Sequence, residues 1–280
     1  MSDAGACVLP RLDRGAQIGD VLACLRESGA CIVEQLVDKE QVLAINAQLA
    51  GPVADTPCSP FAGPGNRTRR TGSLVVHSPA AHAMISHPLI IGAATELLAP
   101  RSGQIQLAVT QHICVEPGEM AGGLHRDDCA WDLPPFAEPR EVEVSTLWAL
   151  DDFHASNGAT LMAPASHRSG AEPEQFSSSL IPAEMPAGSV AIYTGRFVHG
   201  SGANRTDRPR RAAHVTYCTD WLRQKENQFL CITPEIARNL SPQMQALVGY
   251  AMGGFMLGYT RNFEDPRVAI DPGLYLPLGG

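Results

Sequence analysis

The chain is predicted to be mainly β with flanking helices, built on a double-stranded β-helix (jelly-roll) core. Three observations predict it. Between residues 104 and 219 the sequence carries short segments of alternating or β-branched residues separated by Pro, Gly and Asn turns, the pattern of a sandwich or barrel. Helical periodicity is confined to the stretches on either side. No repeat or low-complexity tract interrupts the 280 residues, a length that fits one large domain with helical decoration. Residues 1–280 are therefore assigned to a single domain. Its parts are a mostly helical 1–100, a jelly-roll core over 101–222, and C-terminal helices and tail over 223–280.

The first fifteen residues show no pattern and are expected to be loosely ordered. Ile18 to Ser28 places Val21, Leu22 and Leu25 at helical spacing, and Gly29 stops the helix. Ala30 to Glu34 reads as a short strand. Asp38 caps a second helix, Lys39 to Leu49, with Val42, Leu43 and Ile45 on its buried face. Gly51 to Gly65 is rich in Pro, Gly and Ser and is expected to be a long loop, a candidate lid. Pro88 opens a third helix running to Leu98. The strands follow: Gln104 to Val115, Glu143 to Leu150, Thr160 to Met162, Ser189 to Tyr193 and Ala212 to Thr219, with a turn at Asn157-Gly158. Pro234 to Leu240 and Pro242 to Met252 return to helical character.

Composition narrows the function. Hydrophobic content of 44% with 18% charged residues is that of a soluble globular protein. A net charge of -8 disfavours nucleic acid as a partner. Arginines nevertheless cluster at 67, 69 and 70 and at 205, 208, 210 and 211, which favours a small anionic ligand over a polymer. None of the eight cysteines forms a Cys-x-x-Cys pair, so a zinc ribbon is not expected. Neither a signal peptide nor a membrane-spanning run is read, so free thiols and a cytoplasmic location are expected.

The chemistry lies in two motifs, Gly122-Gly-Leu-His-Arg-Asp-Asp128 and Tyr193-Thr-Gly-Arg-Phe-Val-His-Gly-Ser-Gly202. His125 and Asp127, two apart in an extended segment, face one side and can grip one ion. With His199 they make two imidazoles and one carboxylate, the ligand set of a non-heme iron(II) oxygenase. Three ligands on one face of an octahedron leave the other open for a bidentate 2-oxo acid and O2. Each residue also has a plainer reading: a turn histidine, a packing histidine in a glycine turn, a surface ion pair for Arg210. Their joint occurrence, with Arg210 eleven residues beyond His199, outweighs those readings.

The sequence resembles the phytanoyl-CoA dioxygenase family of Fe(II)/2-oxoglutarate oxygenases, with a cupin-like core. The resemblance runs from about Arg67 to about Tyr259. It rests on Thr68-Arg-Arg-Thr-Gly72, Leu124-His-Arg-Asp-Asp128, Leu147-Trp-Ala-Leu-Asp-Asp152, Asn157-Gly-Ala-Thr160, Pro164-Ala-Ser-His167 and the segment from His199 to Arg211. Trp221-Leu-Arg-Gln-Lys-Glu-Asn-Gln228 looks like the shorter members that tailor natural products. The resemblance implies that His125, Asp127 and His199 bind iron. It implies that Arg210 pairs bidentately with the distal carboxylate of 2-oxoglutarate, and that Ser201 donates to the same carboxylate. Arg70 matches a basic position near the oxo-acid end, and Thr160 and Trp148 match positions lining the pocket. One departure is Gly122, where many natural-product members carry glutamine, which implies a roomier pocket on that side.

The implied reaction is oxidation, foremost hydroxylation, of an unactivated C-H of a lipophilic small molecule in secondary metabolism, with 2-oxoglutarate giving succinate and carbon dioxide. Asp127 fills the position that a halogenase leaves to chloride. Candidate substrate walls are the Gly51 to Gly65 loop, the Cys129 to Pro139 segment with Trp131 and Phe136, and Phe255, Met256 and Leu257. A terpenoid, polyketide or alkaloid-like substrate is favoured. Two alternatives stand beside this: an acyl-CoA hydroxylase of the phytanoyl-CoA type, disfavoured by net acidity, and a non-oxygenase cupin-like metal-binding protein, which has no need of Arg210. Oligomeric state stays open. Tyr250 to Tyr259 either covers a neighbouring subunit's pocket in a homodimer or packs on its own core.

Overall fold

The computed structural model describes residues 8–60, 62–99, 104–131, 133, 140–254, 256–261, 263–271 and 273. The strands are β1 (Arg11–Leu12), β2 (Ala30–Val33), β3 (Thr68–Thr71), β4 (Ile105–Val115), β5 (Glu143–Ala149), β6 (Leu161–Met162), β7 (Ile181–Pro182), β8 (Val190–Thr194), β9 (His199–Gly200) and β10 (Arg210–Thr219). They form a seven-stranded sheet of order β1-β2-β8-β5-β10-β4-β3 and a three-stranded sheet of order β7-β6-β9. Apart from the parallel β1/β2 pair, the strands pair antiparallel. This is the expected jelly roll.

The helices are α1 (Ile18–Ser28), α2 (Lys39–Asp55), α3 (Leu74–His77), α4 (His82–Ile85), α5 (Pro88–Leu98), α6 (Gln228–Cys231), α7 (Pro234–Ala237) and α8 (Pro242–Val248). In α1, Val21, Leu22 and Leu25 are buried, and Gly29 ends the helix in the left-handed region at φ 79°. A side chain there would also collide with His167 and Phe197, so the position demands glycine twice over. Asp38 caps α2 by accepting from the Gln41 N–H at 2.8 Å.

Several expectations are corrected. Helix α2 does not stop at Leu49 but continues through Gly51 and Pro52 to Asp55, because Val53, four residues beyond Leu49, extends the face packed on the core. Leu43 is exposed, since the buried face runs through Val42, Ile45 and Leu49. Residues 8–15 are not loose throughout: Leu9 is buried, and Arg11–Leu12 adds a parallel strand to β2. In the last helices, α7 ends at Ala237 and α8 at Val248, where Gly249 adopts a left-handed cap. Strand β3 and helices α3 and α4 are additions that no sequence pattern announced.

The large sheet separates two apolar layers. Along β5, Val144 and Trp148 face the helices, while Leu147 and Ala149 face the small sheet, as strand alternation requires. The inter-sheet layer also contains Ile32, Phe153, Met162 and Phe197. It fills only part of the space between the sheets, and the remainder is the cavity described next. Among the described residues, no helix is long and apolar enough to cross a membrane.

Candidate metal centre and cosubstrate pocket

Segment 122–125 runs beside β9. The His125 N–H donates to His199 O at 2.9 Å, the His199 N–H returns to His125 O at 3.1 Å, and the Gly122 N–H reaches Ser201 O at 2.9 Å. Two histidines 74 residues apart in sequence thus become cross-strand neighbours, with ring centroids 4.4 Å apart. Asp127 opens a 3-10 turn, Asp127–Trp131, that folds its carboxylate back under the two rings. The ligand atoms of His125, Asp127 and His199 all lie within 4.8 Å of one another.

Ring tautomers follow from the backbone. His125 Nδ1 lies 3.2 Å from Gly123 O, and His199 Nδ1 lies 3.1 Å from Phe197 O. A carbonyl only accepts, so each Nδ1 carries the proton and each Nε2 keeps its lone pair. Both Nε2 atoms face Asp127 Oδ1, at 3.6 and 3.7 Å. Burial pushes the His199 imidazole down to about 4, so it is neutral at neutral pH. Burial alone would raise the Asp127 carboxyl. The His214 imidazole and the Lys225 ammonium outweigh it and hold Asp127 well below the usual range. Two imidazole nitrogens and one carboxylate oxygen around a common point suit a borderline divalent cation such as Fe(II).

The triad opens into a cavity of about 330 Å³, also lined by Arg70, Thr160, Ser201 and Arg210. Arg210 is 2% exposed. One of its nitrogens donates to Gly158 O at 2.5 Å, and its guanidinium lies 4.6 Å from the Phe153 ring centroid. Its Nε is buried without a partner, and no described carboxylate pairs with it. Burial lowers its pKa to about 10, so it remains a cation. A buried guanidinium with no counter-ion is a costly arrangement that an incoming carboxylate relieves. Ser201 Oγ accepts from the Gly122 N–H at 3.1 Å, which leaves its own proton to donate.

Strand alternation sorts the arginine clusters. Arg70 and Arg210 line the cavity. Their neighbours face away into ordinary ion pairs, Arg69 with Glu116 at 2.9 Å and Arg211 with Asp151 at 2.5 Å.

Trp148 is not in the pocket. It is fully buried on the helix side of β5, with its indole N–H on Thr146 Oγ1 at 3.0 Å. Leu147, one residue away, lines the cavity instead; a one-residue offset reverses the face. The expected substrate walls are also partly displaced. Among the described residues of the Gly51 to Gly65 stretch, only Pro64 and Gly65 line the cavity. Trp131 donates to Arg223 O at 2.7 Å and so anchors its turn to the chain after β10. Met256 and Leu257 are exposed and not part of the cavity lining. Phe136 and Phe255 lie outside the described residues. Cys129 is exposed, and partial burial raises its thiol pKa. Sequence reasoning missed Gln111, Ile113, Tyr193 and His214, all of which line the cavity. The signal was present for three of them, since alternation puts Gln111 and Ile113 on the face of Val115 in β4 and His214 on the face of Arg210 in β10; Tyr193 lies on β8.

A jelly roll that gathers two imidazoles, a carboxylate and a buried unpaired guanidinium in one cavity is the architecture of an Fe(II)/2-oxoglutarate-dependent dioxygenase. The chain belongs to the phytanoyl-CoA dioxygenase (PhyH) family, whose model matches residues 25–212. Its iron, 2-oxoglutarate and O2 chemistry is that of the family. It is similar to the dioxygenase olcK of Penicillium canescens, 28% identical over 254 residues, covering 84% of this chain and 81% of that protein. It is also similar to the dioxygenase aneA of Aspergillus aculeatus, 28% identical over 258 residues, covering 84% of each. Among solved structures, the fold is like that of SnoK, a non-heme alpha ketoglutarate dependent carbocyclase from nogalamycin biosynthesis. The TM-score is 0.59 at 18% identity, over 72% of this chain and 86% of that one. The epimerase SnoN, solved with Fe3+, alpha ketoglutarate and nogalamycin RO, matches with a TM-score of 0.57 at 20% identity, over 72% and 83%.

Proposed function

We propose that His125, Asp127 and His199 hold Fe(II), and that Arg210, Ser201, Arg70 and Thr160 hold 2-oxoglutarate, in an enzyme that hydroxylates an unactivated C-H of a lipophilic natural-product intermediate. The observation that carries this reading is the buried, counter-ion-free Arg210 in the same cavity as the triad. When bound, the iron with 2-oxoglutarate and O2 supplies the oxidising power. The chain's own residues position and exclude. Carbonyls of Gly123 and Phe197 fix both imidazoles with Nε2 inward. Arg210 neutralises a carboxylate away from water, and the Ser201 hydroxyl is free to donate to it.

Ile113, Val115 and Leu147 supply an apolar wall, which supports a terpenoid, polyketide or alkaloid-like substrate. An acyl-CoA would need a basic rim. Arg70 and Arg210, the lysines and arginines among the cavity-lining residues, are both assigned to the cosubstrate. The single-domain reading of 1–280 and a cytoplasmic location belong to the same proposal.

The test is substrate-free turnover. Protein supplied with Fe(II), 2-oxoglutarate and O2 is expected to form succinate slowly, and Asp127→Ala and His199→Ala are expected to abolish it. Undiminished succinate in either variant overturns the assignment. The substrate is sought by comparing metabolites of the parent strain with those of a strain lacking the protein.

A further inference from the structure

Four polar residues not assigned above line up across the large sheet. The order β8-β5-β10-β4 sets Gln111 opposite His214 and Ser145 opposite Tyr193 in register. Gln111 Nε2 lies 3.0 Å from His214 Nδ1, and His214 Nε2 lies 3.2 Å from Tyr193 Oη. Ser145 Oγ lies 2.6 Å from Asp127 Oδ2. His214, Tyr193 and Ser145 are all buried.

Proton directions follow from groups that can play one role only. An ionised carboxylate only accepts, so Ser145 donates to Asp127. An amide nitrogen only donates, so His214 Nδ1 accepts from Gln111 and His214 Nε2 donates to the Tyr193 oxygen. His214 Nε2 also approaches Asp127 Oδ2 directly, at 3.7 Å.

We propose that Ser145 and His214, the latter held by Gln111 and Tyr193, act as positioning residues that fix Asp127 Oδ2 and present Oδ1 alone to the metal. The two carboxylate oxygens have separate partners. Oδ2 faces Ser145 and His214, whereas Oδ1 faces His125 Nε2 and His199 Nε2 at 3.6 and 3.7 Å. A carboxylate so held binds through one oxygen. One that swings free can chelate through both and occupy a position needed for 2-oxoglutarate or O2. Tyr193 has a second contact, its ring lying 4.6 Å centroid to centroid from His199. Loss of its hydroxyl alone releases His214 Nε2 and keeps that packing.

This inference rests on the metal-centre reading, and the experiment separates the two. Metal-free full-length protein is titrated with Co(II), following its visible absorption. Wild type is expected to bind one Co(II), and Asp127→Ala to lose it; absence of that difference overturns the metal centre itself. Given wild-type binding, Tyr193→Phe and Ser145→Ala are each expected to weaken Co(II) about tenfold and to shift the visible bands. Ser145→Thr, which retains the hydroxyl, is expected to restore both. The proposal is overturned if either variant, with wild-type metal-free Tm, binds Co(II) with wild-type affinity and spectrum. Should Ser145→Ala not fold, Tyr193→Phe decides alone.

Discussion

Gly122 and Ser201 are packed so closely that a Cβ on the glycine would lie 2.5 Å from the Ser201 Oγ. The glycine N–H meanwhile donates to that same oxygen at 3.1 Å. Any side chain at 122 therefore displaces the hydroxyl that faces the cosubstrate. Gly122→Ala is expected to raise the 2-oxoglutarate KM several-fold by rotating Ser201 off its donor. The double variant with Ser201→Ala is expected to be no worse than Ser201→Ala alone. Steady-state succinate formation measures all three; strictly additive effects would show that the two residues do not act as a unit.

Arg210 is a charge buried ahead of its ligand. Arg210→Met is expected to raise the 2-oxoglutarate KM roughly 100-fold, in line with the 2–5 kcal/mol lost when one partner of a buried charge pair is truncated. Its ligand-free Tm is expected to stay near wild type, because removing an unpaired buried charge offsets the lost bond to Gly158 and the contact with Phe153. Thermal unfolding with Mn(II) and saturating 2-oxoglutarate checks the pair of statements. Wild type gains stability from the ligand and Arg210→Met does not.

Neighbouring positions on β5 are expected to separate stability from activity. Trp148→Phe loses packing in the helix-side core and the indole bond to Thr146, a cost of about 1–3 kcal/mol, with the 2-oxoglutarate KM unchanged. Leu147→Met conserves volume and is expected to cost less than about 1.5 kcal/mol, while altering turnover of any substrate that touches the cavity wall. Denaturant unfolding beside succinate kinetics distinguishes them.

Two buried groups are expected to contribute to stability with opposite pH dependence, largely offsetting one another between about pH 4.5 and 6.5. His112 is 1% exposed, and burial pushes it down to about 4. Between about 6.5 and 4 the unfolded chain takes up a proton that the folded one refuses, so stability falls as pH falls through that window, by at most roughly 3 kcal/mol. Burial raises the Glu141 carboxyl to about 7. There the unfolded state ionises first, so stability falls as pH rises from about 4.5 to 7. His112→Leu is expected to leave the Glu141 contribution unopposed, so that stability rises as pH is lowered from about 6.5 to 4.5. Glu141→Gln is expected to raise Tm at pH 8 and leave it unchanged at pH 4. Unfolding measured across pH checks each contribution.

Much of this protein was legible in its residues. Strand alternation and turn dipeptides specified a jelly roll, because period-2 patterning is a local property of the chain. The spacing of His125 and Asp127, with His199 and Arg210 downstream, specified a metal site with an anion partner. Donor chemistry of that kind survives without coordinates. Tertiary structure alone decided the rest. Trp148 and Leu147 exchanged faces because pairing against β8 and β10 sets which residues look inward. Helix α2 ran on to Asp55 because Val53 found a core to pack on. Gln111, His214, Tyr193 and Ser145 met at Asp127 because four strands distant in sequence are adjacent in the sheet. Their hydrogen bonds depend on strand order and register, and a strand's own pattern encodes which of its residues share a face but not which neighbours that face will meet.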